Sequence, residues 1–291
     1  MGKAVFMPVE PQSQVVELPS RGIPYRWRDG KVSIRPMTAR EEKLIATANE
    51  NTYMSVIDRV IGNCLKEPQI DPEELTEGDR SFILLWLRIN SYFPEYRVEL
   101  DCAKCRRGFL TTVDLSSIPV KFLSENVSEP YEVLIGKHKI GLRFLRGRDE
   151  KNLTKLETEL AQKGGDPSDR YIFRYALSIM LIDGEEVDLL TAKTFIESLT
   201  GRDLARLRKA LKEMEHGVIF EKRIRCPLCG RESDFVIPIT AEFFLPTEPD
   251  DGTDNGETLY CGETARDLIP GSGVDGGGRE GVVDREGGTG S

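Results

Sequence analysis

Two cysteine pairs carry the clearest spacing for metal chemistry in this chain. Cys102 and Cys105 enclose "AK", and Cys226 and Cys229 enclose "PL"; each C-x-x-C turn presents two thiolate sulfurs to one ion. Structural Zn2+ takes a closed tetrahedral shell of four such ligands, so each pair is half a site. The spacing predicts one shared Zn2+ held by Cys102, Cys105, Cys226 and Cys229. Two reduced pairs that merely pack form the plainer alternative. A thioredoxin-like redox role does not fit, because neither pair opens a helix after a strand in a βαβ unit.

Other groups capable of chemistry read as structural. Cys64 lies on the apolar face of an expected helix, as a small core residue would. Cys261 sits in a glycine-rich segment and reads as an unpartnered thiol. His216 precedes Gly217 at an expected helix end, where an imidazole suits the dipole and glycine suits the position after the cap. His138 follows the turn expected at Gly136-Lys137. No Ser/His/Asp order, G-x-S-x-G, Walker A or H-E-x-x-H motif is present, and four thiolates leave no open metal position for a substrate. The reading is a non-enzymatic protein with no catalytic residue, no cofactor-binding residue and no small-molecule substrate.

The elements that must position the cysteines can be read from hydrophobic periodicity. "YRVELD" and "GFLTTVDL" alternate as strands on either side of Cys102 and Cys105, and "VIFEKRIR" and "RESDFVIPIT" do the same around Cys226 and Cys229. Both are zinc-ribbon-like hairpins. Upstream of the first, "KVSIRPM" reads as a strand, and Thr38 with Glu41 makes a capping box for the helix "AREEKLIATANE". A helix follows near Tyr53 to Leu65, then an apolar one in "DRSFILLWLRINSYF", expected at the centre of the core. Upstream of the second, "HKIGLRF" runs into a helix start at Asp149, with helices near Lys151 to Lys163, Ser168 to Ile182, Thr191 to Leu199 and Asp203 to His216. The expected fold is α+β and internally duplicated: strand, helical bundle and cysteine hairpin, twice, joined by the shared four-cysteine zinc site.

Charge and composition set the outer limits. The chain has 291 residues and a net charge of −9. Pro246 to Ser291 holds eleven acidic residues against three arginines and twelve of the 27 glycines. The rest is almost neutral. The terminal stretch cannot bury enough apolar surface to order itself and reads as a disordered acidic tail. The expected division is therefore an extended N-terminal arm over 1–31, a first repeat over 32–136, a second over 137–245 and the tail over 246–291. A neutral body argues against nucleic-acid binding, the alternative raised by the basic residues beside the cysteines. The longest apolar run, Phe82 to Leu87, has six residues, against roughly 20 for a membrane span. "MGKAVFMPVE" has no apolar export core, and Phe6 stands where a myristoylation signal after Gly2 would have Ser or Thr.

The segments "VELPSRGIPY" (Val16 to Tyr25), "IRPMTAREEKLIA" (Ile34 to Ala46) and "DRSFILLWLRINSYFPEY" (Asp79 to Tyr96), with the two hairpins, resemble the T4-type bacteriophage baseplate hub assembly family. The likeness runs from Val15 to Leu245 and is most specific in its N-terminal third. It implies a hub component or a chaperone of hub assembly in contractile-tailed phages. The partners would be phage baseplate or tail proteins. The place would be the host cytoplasm during assembly, or the virion tail baseplate for a permanent part. It supplies no catalytic residues. Within the arm, Leu18, Ile23 and Tyr25 are expected to be apolar anchors for a partner, so that removing Met1 to Tyr25 would weaken binding and spare the fold.

Overall fold

The structure, a computed structural model, describes residues 11–245 apart from 26, 28, 50–51, 68–69, 163–168 and 240. The segment 246–291 and Cys261 lie outside the described residues.

The first half is a small sheet with helices packed on it. β1 (Gln14–Glu17), β2 (Lys31–Ile34) and β3 (Leu65–Glu67) form an antiparallel sheet in that order. Between β2 and β3 come α1 (Ala39–Ala46) and α2 (Tyr53–Cys64). α1 opens on the expected capping box: Thr38 N–H donates to Glu41 Oε2 at 2.9 Å and Thr38 Oγ1 accepts the Arg40 N–H, satisfying backbone donors that a helix start leaves free. α3 (Glu77–Ser91) follows and buries Ile83, Leu85 and Leu87, with Phe82, Leu84, Trp86 and Ile89 packed on the same core. β4 (Glu95–Asp101) and β5 (Gly108–Asp114) make the first cysteine hairpin, and β6 (Val120–Lys121) leads out of it.

The second half begins with a hairpin and ends in the other pair of cysteines. β7 (Tyr131–Ile135) and β8 (His138–Leu142) form a tight hairpin that runs into α4 (Gly147–Gln162) and α5 (Asp169–Ser178). β9 (Ile179–Ile182) and β10 (Glu185–Glu186) complete a sheet of order β10-β9-β8-β7. α6 (Leu189–Ser198), α7 (Gly201–Met214) and β11 (Gly217–Val218) lead to the second cysteine hairpin, β12 (Glu221–Arg225) and β13 (Glu232–Val236), and α8 (Ala241–Phe244) ends the described chain.

Three expectations are corrected. The helix expected over Ser168 to Ile182 stops at Ser178, because the apolar run Ile179 to Ile182 pairs with β8 as β9. Asp183 (φ 53°) and Gly184 (φ 89°) then supply the two positive-φ positions of a tight hairpin turn into β10. The boundaries expected at 31/32 and 136/137 fall inside the β1–β2 and β7–β8 hairpins, so β1 and β7 belong with the sheets they pair into. The segment 11–31 is not an outlying arm. Leu18 and Tyr25 are buried in the first core, which takes them out of reach of a partner, and Ile23 is half-buried against the second.

That segment works as a pin between the halves. Asp79, fully buried at the start of α3, accepts the Ser20 N–H at 2.9 Å and the Tyr25 hydroxyl at 2.6 Å. Tyr25 Oη in turn accepts the Thr76 N–H at 2.8 Å, and Thr76 Oγ1 meets His216 Nε2 of the second half at 2.8 Å. The backbones approach closely at this point: a Cβ on Gly78 would lie 2.4 Å from the His216 carbonyl oxygen, and one on Gly217 2.5 Å from Gly78 Cα. β6 also pairs with β11 across the joint. Beside it lies a partly buried charged seam. Arg174 of α5 bridges Glu77 of α3 and Glu150 of α4, Arg170 reaches Glu150 at 3.4 Å, and Lys151 reaches Glu73 at 2.6 Å and Asp58.

Candidate metal centre

The two cysteine turns share a local geometry. In the first, Arg106 N–H donates to the Cys102 carbonyl at 2.8 Å and Cys102 N–H to the Arg107 carbonyl at 3.1 Å; in the second, Gly230 N–H donates to Cys226 and Cys226 N–H to Arg231, both at 2.9 Å. The fifth residue of each turn has positive φ, 56° at Arg106 and 72° at Gly230. This tight return is what lets residues three apart aim both sulfurs to one side. Gly230 takes that conformation without a Cβ penalty, whereas Arg106 does so under strain.

The turns are brought face to face by the strands behind them. Phe109 of β5 and Phe235 of β13 meet edge to face at 5.6 Å, Tyr96 Oη donates to the Pro238 carbonyl at 3.1 Å, and Arg107 Nη2 donates to the Leu228 carbonyl at 3.3 Å. Cys102 and Cys226 are buried within the first core, together with Phe235, Ile237, Phe243 and Phe244. The second hairpin therefore completes the core of the first half, about 120 residues earlier in the chain, rather than that of the half it follows.

All four sulfurs lie within 4.8 Å of one another. Cys102 Sγ is 3.8 Å from Cys229 Sγ, and Cys105 Sγ is 4.0 Å from Cys226 Sγ. With metal–sulfur bonds of about 2.3 Å, the sulfurs of a tetrahedral site stand about 3.8 Å apart, so the donor set fits such an ion. The contacts cross: the first cysteine of each turn meets the second cysteine of the other, as a two-fold exchange of the turns would require. All four cysteines are unbridged.

Electrostatics bear on the same point. The N–H groups of Cys105 and Lys104 point at the Cys102 sulfur and draw its thiol down to about 6. At Cys229 an N–H from Arg231 favours the thiolate, yet desolvation and the sulfurs of Cys226, Cys102 and Cys105 outweigh it and push the thiol up to about 11. Four sulfurs this close cannot all be thiolates without a cation among them, and a divalent ion supplies that charge.

The remaining candidates are placed as follows. Cys64 is buried at the end of α2, where burial pushes its thiol up to about 12, as an inert core residue. His216 contacts Thr76 and stacks edge-on against Phe144, and His138 Nδ1 meets Asp183 at 2.6 Å. Neither lies in the cysteine cluster. The Tyr25–Asp79–Thr76–His216 network escaped sequence reasoning; its only signal was the Thr76-x-x-Asp79 pattern at the head of α3, which reads as a cap.

A family model described as T4 bacteriophage base plate protein matches residues 11–245, which is the whole described body. The chain belongs to that family. It is thus a bacteriophage baseplate protein, and its family implies contact with other phage tail proteins. Comparison with curated proteins and with solved structures finds no match. Among the described residues no helix of this baseplate protein is long and apolar enough to cross a membrane.

Proposed function

We propose that this baseplate protein is a non-enzymatic hub component or hub assembly chaperone, built as two related halves and fastened by one structural Zn2+ on Cys102, Cys105, Cys226 and Cys229. The observation that carries the reading is the crossed meeting of the four sulfurs from two turns of identical hydrogen bonding.

Internal duplication is supported well away from the metal. Arg35 N–H donates to the Cys64 carbonyl at the end of α2, and Arg143 N–H to the Ser178 carbonyl at the end of α5. Arg35 pairs with Glu41 at 3.0 Å and Arg143 with Asp149 at 2.8 Å, each six residues on, at the head of the next helix. The strand register shifts at Ser33/Ile34 in one sheet and at Gly141/Leu142 in the other. Thr76 caps α3 through the Asp79 N–H, and Thr200 caps α7 through the Asp203 N–H. A body tied at its far end by a metal, with its halves pinned by a buried loop, suits a rigid part that works through its surfaces.

Elemental analysis of the purified protein tests the metal. One zinc per chain is expected, lost in both Cys102→Ser and Cys226→Ser; zinc retained in either variant, or iron in its place, overturns the Zn2+ reading. Presence in purified virions marks a hub component, and presence only in tail-protein pull-downs from infected cells marks a chaperone. Absence from both defeats the hub assignment.

A further inference from the structure

The four sulfurs of the cluster are not equally sheltered. Cys102 and Cys226 are buried, Cys105 is half-buried, and Cys229 is exposed in the second turn. A small oxidant in solvent therefore meets the Cys229 sulfur first. Facing it across the joint is Cys102 Sγ at 3.8 Å, and Cys105 Sγ faces Cys226 Sγ at 4.0 Å. A disulfide bond is about 2.05 Å long, so each crossed pair has to close by about 2 Å. The turns that must move sit at the ends of two-stranded hairpins, away from the larger sheets. These two pairs use every sulfur once. They also span 127 and 121 residues of chain, so each bond would tie one half of the protein to the other, whereas a bond within one C-x-x-C turn ties nothing but that turn.

We propose that the site exchanges its metal for two disulfides, Cys102–Cys229 and Cys105–Cys226, when it meets a hydroperoxide, so that the hairpins stay fastened in either state. This rests on the Zn2+ reading of the site. The Cys229 thiolate leaves the ion, attacks one peroxide oxygen and breaks the O–O bond. It becomes a sulfenic acid, and the other oxygen departs as hydroxide, which takes a solvent proton to give water. The Cys102 thiolate then attacks the sulfenic sulfur, forms the S–S bond and expels a second hydroxide, protonated in the same way. Two electrons have passed from two sulfurs to one peroxide, and the ion has lost two of its four ligands. A second peroxide oxidises Cys105 and Cys226 by the same steps, and Zn2+ leaves to solvent. A dithiol reductant returns the electrons, and the four restored thiolates take Zn2+ again. Such a fastener serves both in a reducing compartment, where thiolates persist, and in an oxidising one, where disulfides do.

The test treats full-length protein carrying Cys261→Ser, purified with reductant and then freed of it, with hydrogen peroxide. Zinc release is followed with a chromogenic chelator, and disulfides by peptide mass spectrometry without reduction. The zinc should be released as both crossed pairs form, and dithiothreitol with Zn2+ should restore the starting state. A sulfenic-acid probe present from the start should label Cys229 about five-fold or more above Cys102 and Cys226. Disulfides within a turn, oxidation to sulfonic acids without pairing, zinc retained with no disulfide, or labelling mainly of the buried cysteines overturns the exchange alone. Protein that holds no zinc before oxidation defeats the Zn2+ reading, and the exchange with it.

Discussion

Tyr25 donates its hydroxyl to the buried carboxylate of Asp79 at 2.6 Å, and the same oxygen receives the Thr76 N–H at 2.8 Å. Burial, then the negative charge of Asp79, holds the Tyr25 phenol well above its ordinary range, so it stays a donor. Tyr25→Phe removes both bonds and leaves a buried carboxylate oxygen and a buried N–H short of a partner. A hydrogen bond to a charged group contributes about 1.5–3 kcal/mol, so a stability loss of about 2–4 kcal/mol is expected in urea denaturation. Deleting 11–25 should abolish cooperative unfolding altogether, the reverse of what a surface arm predicts. A Tyr25→Phe midpoint equal to wild type would return this segment to the surface.

Metal removal should act unevenly. Cys102 and Cys226 belong to the first core, which the second hairpin completes, while the second core draws on β7 to β9 and α5 to α7. Chelation in the unfolded state costs the folded protein its binding free energy, on the order of 10 kcal/mol for structural zinc. Calorimetry with a strong chelator should split one unfolding transition into two, the lower lost first core and the upper retained second core. A single transition merely shifted downward would mean that the cores do not separate.

The strain at the first turn gives a test of opposite sign at matched positions. Arg106 holds φ 56° where the other turn has Gly230 at 72°. Arg106→Gly relieves an energetic penalty of about 1–2 kcal/mol and returns part of it through the freer unfolded chain, so a net gain of about 0.5–1 kcal/mol is expected. Gly230→Ala should lose about 1–2 kcal/mol by the same reasoning. Denaturation midpoints of the two variants moving in the same direction would refute the equivalence of the turns.

Legibility in the sequence followed the range of the interaction. The capping box at Thr38 and Glu41, the hairpins around the cysteines and the core character of α3 depend on residues close in the chain, and each was readable. β9 was not, because a four-residue apolar run has no distinctive period; only the Asp183-Gly184 turn marked it, and a helix reading absorbs those two residues easily. β1 and β7 are edge strands with little apolar alternation, and their partners define them. The C-x-x-C spacing marks each pair as half of a metal site, and the four sulfurs do lie close together. The burial of Leu18 and Tyr25 is not legible, because Pro19, Gly22 and Pro24 look the same in an exposed turn as in a buried one. What decided burial was Asp79, more than 50 residues away.

Two carboxylates, Glu41 at the head of α1 and Glu150 in the charged seam between the halves, predict two limbs in the pH dependence of stability. At Glu41 burial alone would raise the carboxyl, but hydrogen bonds from Arg35 and Thr38 win and hold it down to about 2, against 4.5 when free. Its folded form binds the proton less tightly than the unfolded chain does, so its contribution is present above pH 4.5 and is lost as pH falls toward 2. Glu150 has the opposite sign. Burial first, and then the charge of Glu77, push it up to about 7 in spite of Arg174 and Arg170. The folded state here keeps a proton that the unfolded chain releases near 4.5, so the Glu150 contribution is present below pH 4.5 and is lost as pH rises to about 7. A buried oxygen of Glu77, Oε1, lacks a hydrogen-bond partner, and a protonated Glu150 beside it suits that geometry. Stability followed by urea titration from pH 4.5 to 7 should therefore fall more steeply in wild type than in Glu150→Gln, and Glu41→Gln should flatten the limb below 4.5. Parallel profiles for wild type and Glu150→Gln over the upper window would show that no proton is held at the joint.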